Sequence, residues 1–176
     1  MTETETHTET IKAPEHIPDR HSGRSRARSV FDAAVASGSL ATIATGGALV
    51  GLGMRDDDVS RVFRLAGRGL LGRVGIETSA VPLTSVGVGY LHHLVVSSLW
   101  GFGLSLLVLP LRGITRIVAA VLAAALYSWL SIGFVPAALR IGYSVTSTTP
   151  SVVSIGVSLA VALLGGVWLS ATDPQG

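Results

Sequence analysis

Long uncharged runs alternate with short charged ones along this chain. Ala33 to Met54 carries no Asp, Glu, Lys or Arg, and neither does Thr78 to Leu111. Beyond Leu111 the only formal charges before Asp173 are Arg112, Arg116 and Arg140. A membrane-crossing helix needs about 20 largely apolar residues at about 1.5 Å each. The pattern therefore predicts four spans, over about residues 33–54, 85–109, 117–139 and 151–171. Pro110 and Gly113 break the second from the third, Pro136 marks the end of the third, and the polar "GYSVTSTTP" turns the chain into the fourth. Connections this short make neighbouring helices antiparallel.

The charged stretches fill in the rest. Residues 1–30 form a polar tail in which "TETETHTET" leads to Arg20, Arg24, Arg26 and Arg28. It offers no apolar face to offset its ordering entropy, and is expected to be disordered. A cleaved signal peptide fits poorly, because the apolar run after the tail exceeds an h-region of about 7–15 residues. The domain boundaries expected are thus a tail over 1–30 and a transmembrane domain over 31–172. Between the first two spans, "RDDDVSRVFRLAGRGLLGRVG" sets Arg61, Arg64 and Arg68 at helical spacing. Val62, Leu65, Ala66 and Leu70 fall on another side, which predicts a short amphipathic helix lying at the headgroups. Gly67, Gly69 and Gly72 weaken that helix, leaving a solvated loop as the rival. With the N-terminus inside, seven basic residues (Lys12, Arg20, Arg24, Arg26, Arg28, Arg112, Arg116) face six (Arg55, Arg61, Arg64, Arg68, Arg73, Arg140). That balance decides little. The tendency of the first helix to dominate places the N-terminus inside.

Composition sharpens the class. Hydrophobic residues make up 48% and charged residues 14% of the 176, against about 25% charged in soluble domains. The fold class expected is all-α, an integral membrane four-helix bundle with one interfacial helix. Its medium is the lipid bilayer. Cysteine is absent, which excludes disulfides, thiolate metal sites and cysteine nucleophiles. The net charge of +2, with arginines flanking apolar runs instead of interleaving with aromatics, points away from nucleic acid.

Small residues recur every fourth position. The second span reads Ser85, Gly89, His93, Ser97, Gly101, Ser105, with histidine as its only large member. The fourth reads Ser154, Ser158, Ala162, Gly166, Ser170, the third Ala120, Ala124, Ser128. The first holds Ala34, Gly38, Thr42, Gly46 and the pair Gly47 and Gly51. Such rows let helix backbones approach closely, which is how helices gain packing energy in lipid. Gly47, Gly51, Gly89, Ser97, Gly101 and Gly166 are accordingly the packing candidates. His93 interrupts its row and should meet another helix. His92 is rotated by about 100° and is a secondary candidate.

Three roles compete for the histidines. The first is an interhelical hydrogen bond from His93. The second is proton relay in a small transporter or proton-coupled permease. The third is haem ligation in a membrane redox subunit. No carboxylate shares the membrane depth to take the proton. Adjacent histidines on one regular helix cannot reach one ion, so no cofactor or metal is expected. Phosphate loops, His-Glu-x-x-His and nucleophile elbows are missing, so no catalytic residues are assigned and no enzyme is expected. "RDDD" at 55–58 reads as a solvated interface cap.

"GYLHHLVVSSLWGFG", "GALVGLGMRDDDVSRVFRLAGRGLLG" and "LYSWLSIGFVPAALRIG" together resemble a group of small four-helix bacterial membrane proteins related to the YagU inner-membrane family. The likeness covers about residues 33–171 and picks out His93 within its Gly-x-x-x-His-x-x-x-small-x-x-x-Gly helix. It implies a bacterial inner-membrane location and carries no activity. The expectation is a non-enzymatic packing or association component, acting as a homo-oligomer or as an accessory subunit beside other membrane proteins.

Overall fold

The computed structural model describes residues 21–76, 82–143 and 148–171, with side chains from residue 28 in the first helix and from residue 83 in the third. The first twenty residues of the expected tail, and part of the "GYSVTSTTP" turn, lie outside these. The helices are α1 His21–Arg55, α2 Arg61–Arg73, α3 Pro82–Val108, α4 Ile114–Gly133 and α5 Thr149–Ala171, with a 3-10 turn at Ala137–Leu139. No strand occurs among the described residues. α1 starts at His21 and takes in the last ten residues, 21–30, of the expected tail.

Stretches of α1, α3, α4 and α5 are long and apolar enough to cross a membrane: Arg28–Arg55, Leu83–Val108, Ile114–Gly133 and Thr149–Ala171. At about 1.5 Å per residue the shortest reaches about 30 Å, the thickness of a bilayer's hydrocarbon core. The distribution of side chains agrees. Leu107, Leu122, Trp129, Val161 and Trp168 point outward, while Ser37, Thr45, Ser85, Ser97 and Ser105 are buried between helices. Small and hydroxylated residues inside, with large apolar ones outside, suit a lipid surround, where burying leucine gains little and close backbone approach gains more. The chain is an all-α, multi-pass membrane bundle.

α1 lies at its centre, packed on α3 along one side and α5 along another. α4 rests on α5 and scarcely touches α3. α2 packs almost wholly on α3. It is a helix, as its basic spacing predicts, but its apolar side is docked instead of lying free at the headgroups. Val62, Phe63, Ala66 and Gly67 are buried, whereas Leu65 is exposed.

α4 stops at Gly133, short of the expected residue 139. Pro136 disfavours helical backbone at Val135 and offers no N–H of its own. The chain from Phe134 to Tyr143 then folds into tight turns, closed by Leu139 N–H to Pro136 O (2.8 Å) and Tyr143 N–H to Arg140 O (3.0 Å). Gly142 and Tyr143 end it with φ of 82° and 55°.

Candidate functional site

The small-residue row of α3 changes partner midway, and His93 stands at the change. Toward the start of α3 the row meets α2. A Cβ on Gly89 would land on the carbonyl oxygen of Phe63, and one on Gly67 on that of Ser85. Two glycines thus bring antiparallel backbones together, which explains glycines inside α2 that helix propensity alone counts against. Gly69 likewise leaves room for the Tyr143 ring. Toward the end of α3 the row meets α1. A Cβ on Gly101 would lie 2.5 Å from Ala41 Cβ and 2.9 Å from Gly38 Cα.

His93 is 2% exposed at the junction of these three helices. Its Nε2 lies 3.2 Å from the Thr42 carbonyl oxygen on α1. Its Nδ1 lies 3.2 Å from Ser97 Oγ, one turn along α3. A carbonyl only accepts, so Nε2 carries the proton and Nδ1 accepts from the Ser97 hydroxyl. The Ser97 oxygen in turn accepts from Thr45 Oγ1 at 3.2 Å. Thr42 O already serves its own helix, and its second lone pair takes the imidazole. Gly46 makes that reach possible, since a Cβ there would sit 3.1 Å from His93 Nε2. The Phe63 ring closes the α2 side edge-on, 5.8 Å between centroids. Thr42 and Ser98 add a hydroxyl pair at 2.9 Å. The neutral imidazole is fully engaged, and each such interhelical bond is worth about 0.6–2 kcal/mol in lipid.

His92 has its own task. Its Nε2 donates to Ala138 O at 2.7 Å, and its ring meets Tyr143 edge-on at 5.8 Å. Trp100 Nε1 donates to Leu139 O (2.8 Å), and Tyr127 Oη accepts the Ile141 N–H (2.9 Å). His92 is about 15 Å along α3 from its first residue, so Phe134–Tyr143 is backbone outside any α-helix, with one 3-10 turn, at membrane depth. Such backbone survives in lipid only when protein satisfies it. The three side chains do so, and they wedge the segment into the gap that α3 and α4 leave. Sequence reasoning gave His92 little weight and missed this wedge. The available signal was Pro136 followed by Gly142 inside an apolar stretch whose single charge is Arg140.

The remaining candidates divide. Gly166 of α5 touches α1, where a Cβ would meet Ser37 Oγ. Ser97 is in the histidine network. Gly47 and Gly51 do not pack within the chain: both are exposed and a Cβ on either would meet nothing within 4 Å. Gly46, one residue earlier, holds the inward place. Outside the membrane, Arg61 pairs with Asp56 at 2.6 Å and Arg64 with Asp58. Asp58 also accepts from the Ser60 N–H and hydroxyl (3.2 and 2.9 Å). The Arg64 bond first, then the Ser60 hydroxyl, holds the Asp58 carboxyl below its ordinary 3.8. The acidic run thus fastens the start of α2. Among the described residues no group of three His, Asp or Glu side chains gathers as a metal site would require.

No protein-family model, curated protein or solved structure matches this chain.

Proposed function

We propose that this is a bacterial inner-membrane protein that works by association, as a homo-oligomer or an accessory subunit of a membrane complex, and not as an enzyme. The observation that carries this reading is the outward row on α1. Ser39, Ile43, Gly47 and Gly51 follow at intervals of four, all exposed. The two glycines touch nothing in their own chain. An outward Gly-x-x-x-Gly gains no packing against fluid lipid but lets a second helix come close. The histidines support the same reading, because His93 Nε2 joins α3 to α1 and its Nδ1 is taken by Ser97 on its own helix, while His92 Nε2 ties α3 to the segment after α4. A permease would need His93 open to a polar path, and a haem held by His93 would need one of its ring nitrogens free for iron.

The chain has no cysteine, so a single S39C reports on this face cleanly. Oxidative crosslinking in native membranes should give a discrete higher-mass species that Gly47→Leu with Gly51→Leu removes. Blue-native electrophoresis should show the same loss. A monomer throughout, with no crosslinked partner, would overturn the reading.

A further inference from the structure

A cavity lies at one end of the bundle, where α1 ends and α5 begins. It holds about 480 Å³ between α1, α2 and α5. Leu49, Leu52 and Val62 line it with hydrocarbon, and Arg55, Asp56 and Arg61 line it with charge. Thr148 and Ser151, from the start of α5, add two hydroxyls 2.8 Å apart. Both ends belong to membrane-crossing helices, so the cavity opens at headgroup level. Leu49, three residues on from Gly46, is fully buried where it lines the cavity.

We propose that this cavity binds the head and first methylenes of a monoanionic amphiphile. The charge fits one negative group. Asp56 is paired with Arg61, whereas Arg55 has no ion-pair partner among the described residues. Two arginines against one aspartate leave the lining with one positive charge. Asp58 is held by Arg64, and neither it nor Asp57 lines the cavity. A bare inorganic anion fills little of a space with room for over ten waters at about 30 Å³ each, and leaves the Leu49, Leu52 and Val62 side of the lining uncovered. A chain with a charged end covers both surfaces. A guanidinium suits either a carboxylate or a phosphodiester, through charge-assisted hydrogen bonds, and the hydroxyl pair has one O–H proton left to donate.

The proposal stands apart from the association reading, because its readout is ligand bound per chain and not oligomer size. The full chain, delipidated in neutral detergent, is titrated separately with phosphatidylglycerol, oleate and phosphatidylcholine, and adducts are counted by native mass spectrometry. One adduct of phosphatidylglycerol or oleate should form at about tenfold lower concentration than phosphatidylcholine, the scale of one charge-assisted bond. Preference for one over the other identifies phosphodiester or carboxylate as the head. Arg55→Gln should remove the preference. Leu52→Trp, which fills the apolar part, should weaken the anionic adduct while Arg55 stays. Circular dichroism verifies that both variants fold. Equal affinity for all three lipids, or a preference that survives both substitutions, overturns the proposal.

Discussion

Replacing Gly89 by alanine tests the placement of α2 against α3. The new Cβ would fall on the Phe63 carbonyl, 2.7 Å from its carbon and 2.9 Å from the Gly67 nitrogen. These are backbone atoms that no side-chain rotation can move. Restoring an ordinary separation of about 3.4 Å from the carbonyl oxygen requires α2 to lift by well over 1 Å, and a gap of about 1 Å already forfeits up to half of the dispersion contact across the interface. Val62, Phe63 and Ala66 are the buried side chains at risk. Overpacking of this kind costs about 1–3 kcal/mol, or roughly 2–10 °C in unfolding temperature for a chain of this size. Gly87, two residues away in α3, is the control, because a Cβ there meets nothing within 4 Å. Alanine at Gly87 should be neutral or stabilise by up to about 1 kcal/mol through helix propensity. Thermal unfolding in detergent, followed by tryptophan fluorescence, compares the two. The double variant Gly67→Ala with Gly89→Ala should cost less than the sum, since one displacement relieves both clashes. If Gly89→Ala proves as stable as Gly87→Ala, α2 does not dock on α3 and lies free at the headgroups.

His93→Ala should lose about 2–4 kcal/mol in the same assay, from the space left and the unpaired Ser97. His93→Leu, which keeps most of the volume, should lose only about 1–2 kcal/mol, and equal losses would contradict a junction held mainly by packing. Tyr127→Phe removes the hydrogen bond that the buried Ile141 N–H donates to Tyr127 Oη, at a cost of about 0.5–1.5 kcal/mol. Hydrogen exchange over residues 134–143 should then accelerate while α1 stays protected, and unchanged exchange there would count against the wedge. The Asp58 carboxyl, lowered below 3.8 in the folded protein, contributes stability that is complete above about pH 3.8 and disappears as pH falls through its depressed value. Thermal scans from pH 6 downward should show an acid-side decline that Asp58→Asn reduces, and identical profiles would exclude the Arg64 pair as its source.

Much of the architecture was legible in the order of the residues. The uncharged runs located all four spans, and the arginine spacing located α2. The four-residue rows marked His93 as a residue that meets another helix. Its partners were not legible. Thr42 contributes a backbone carbonyl, a group every residue owns, and Gly46 contributes only the absence of a side chain. His92 was undervalued for the same reason, since its acceptor is the carbonyl of Ala138. The end of α4 was placed late because the apolar run continues past Gly133 while the helix does not.

The split follows from the range of the forces. Partition between water and lipid depends on side-chain hydropathy summed along a segment, so a linear reading is sufficient for spans, class and medium. Close packing depends on which face of one helix meets which face of another. Gly46 and Gly47 are equally small, yet rotation about the α1 axis turns one to His93 and the other to the lipid. Gly67 and Gly89 gain their role only when two backbones lie side by side. A turn held at membrane depth requires donors from distant positions, Trp100 and His92, to meet its carbonyls. Three-dimensional placement alone decides these matters, because in lipid the energy that selects among helix pairings comes from shape and hydrogen bonds, not from hydrophobicity.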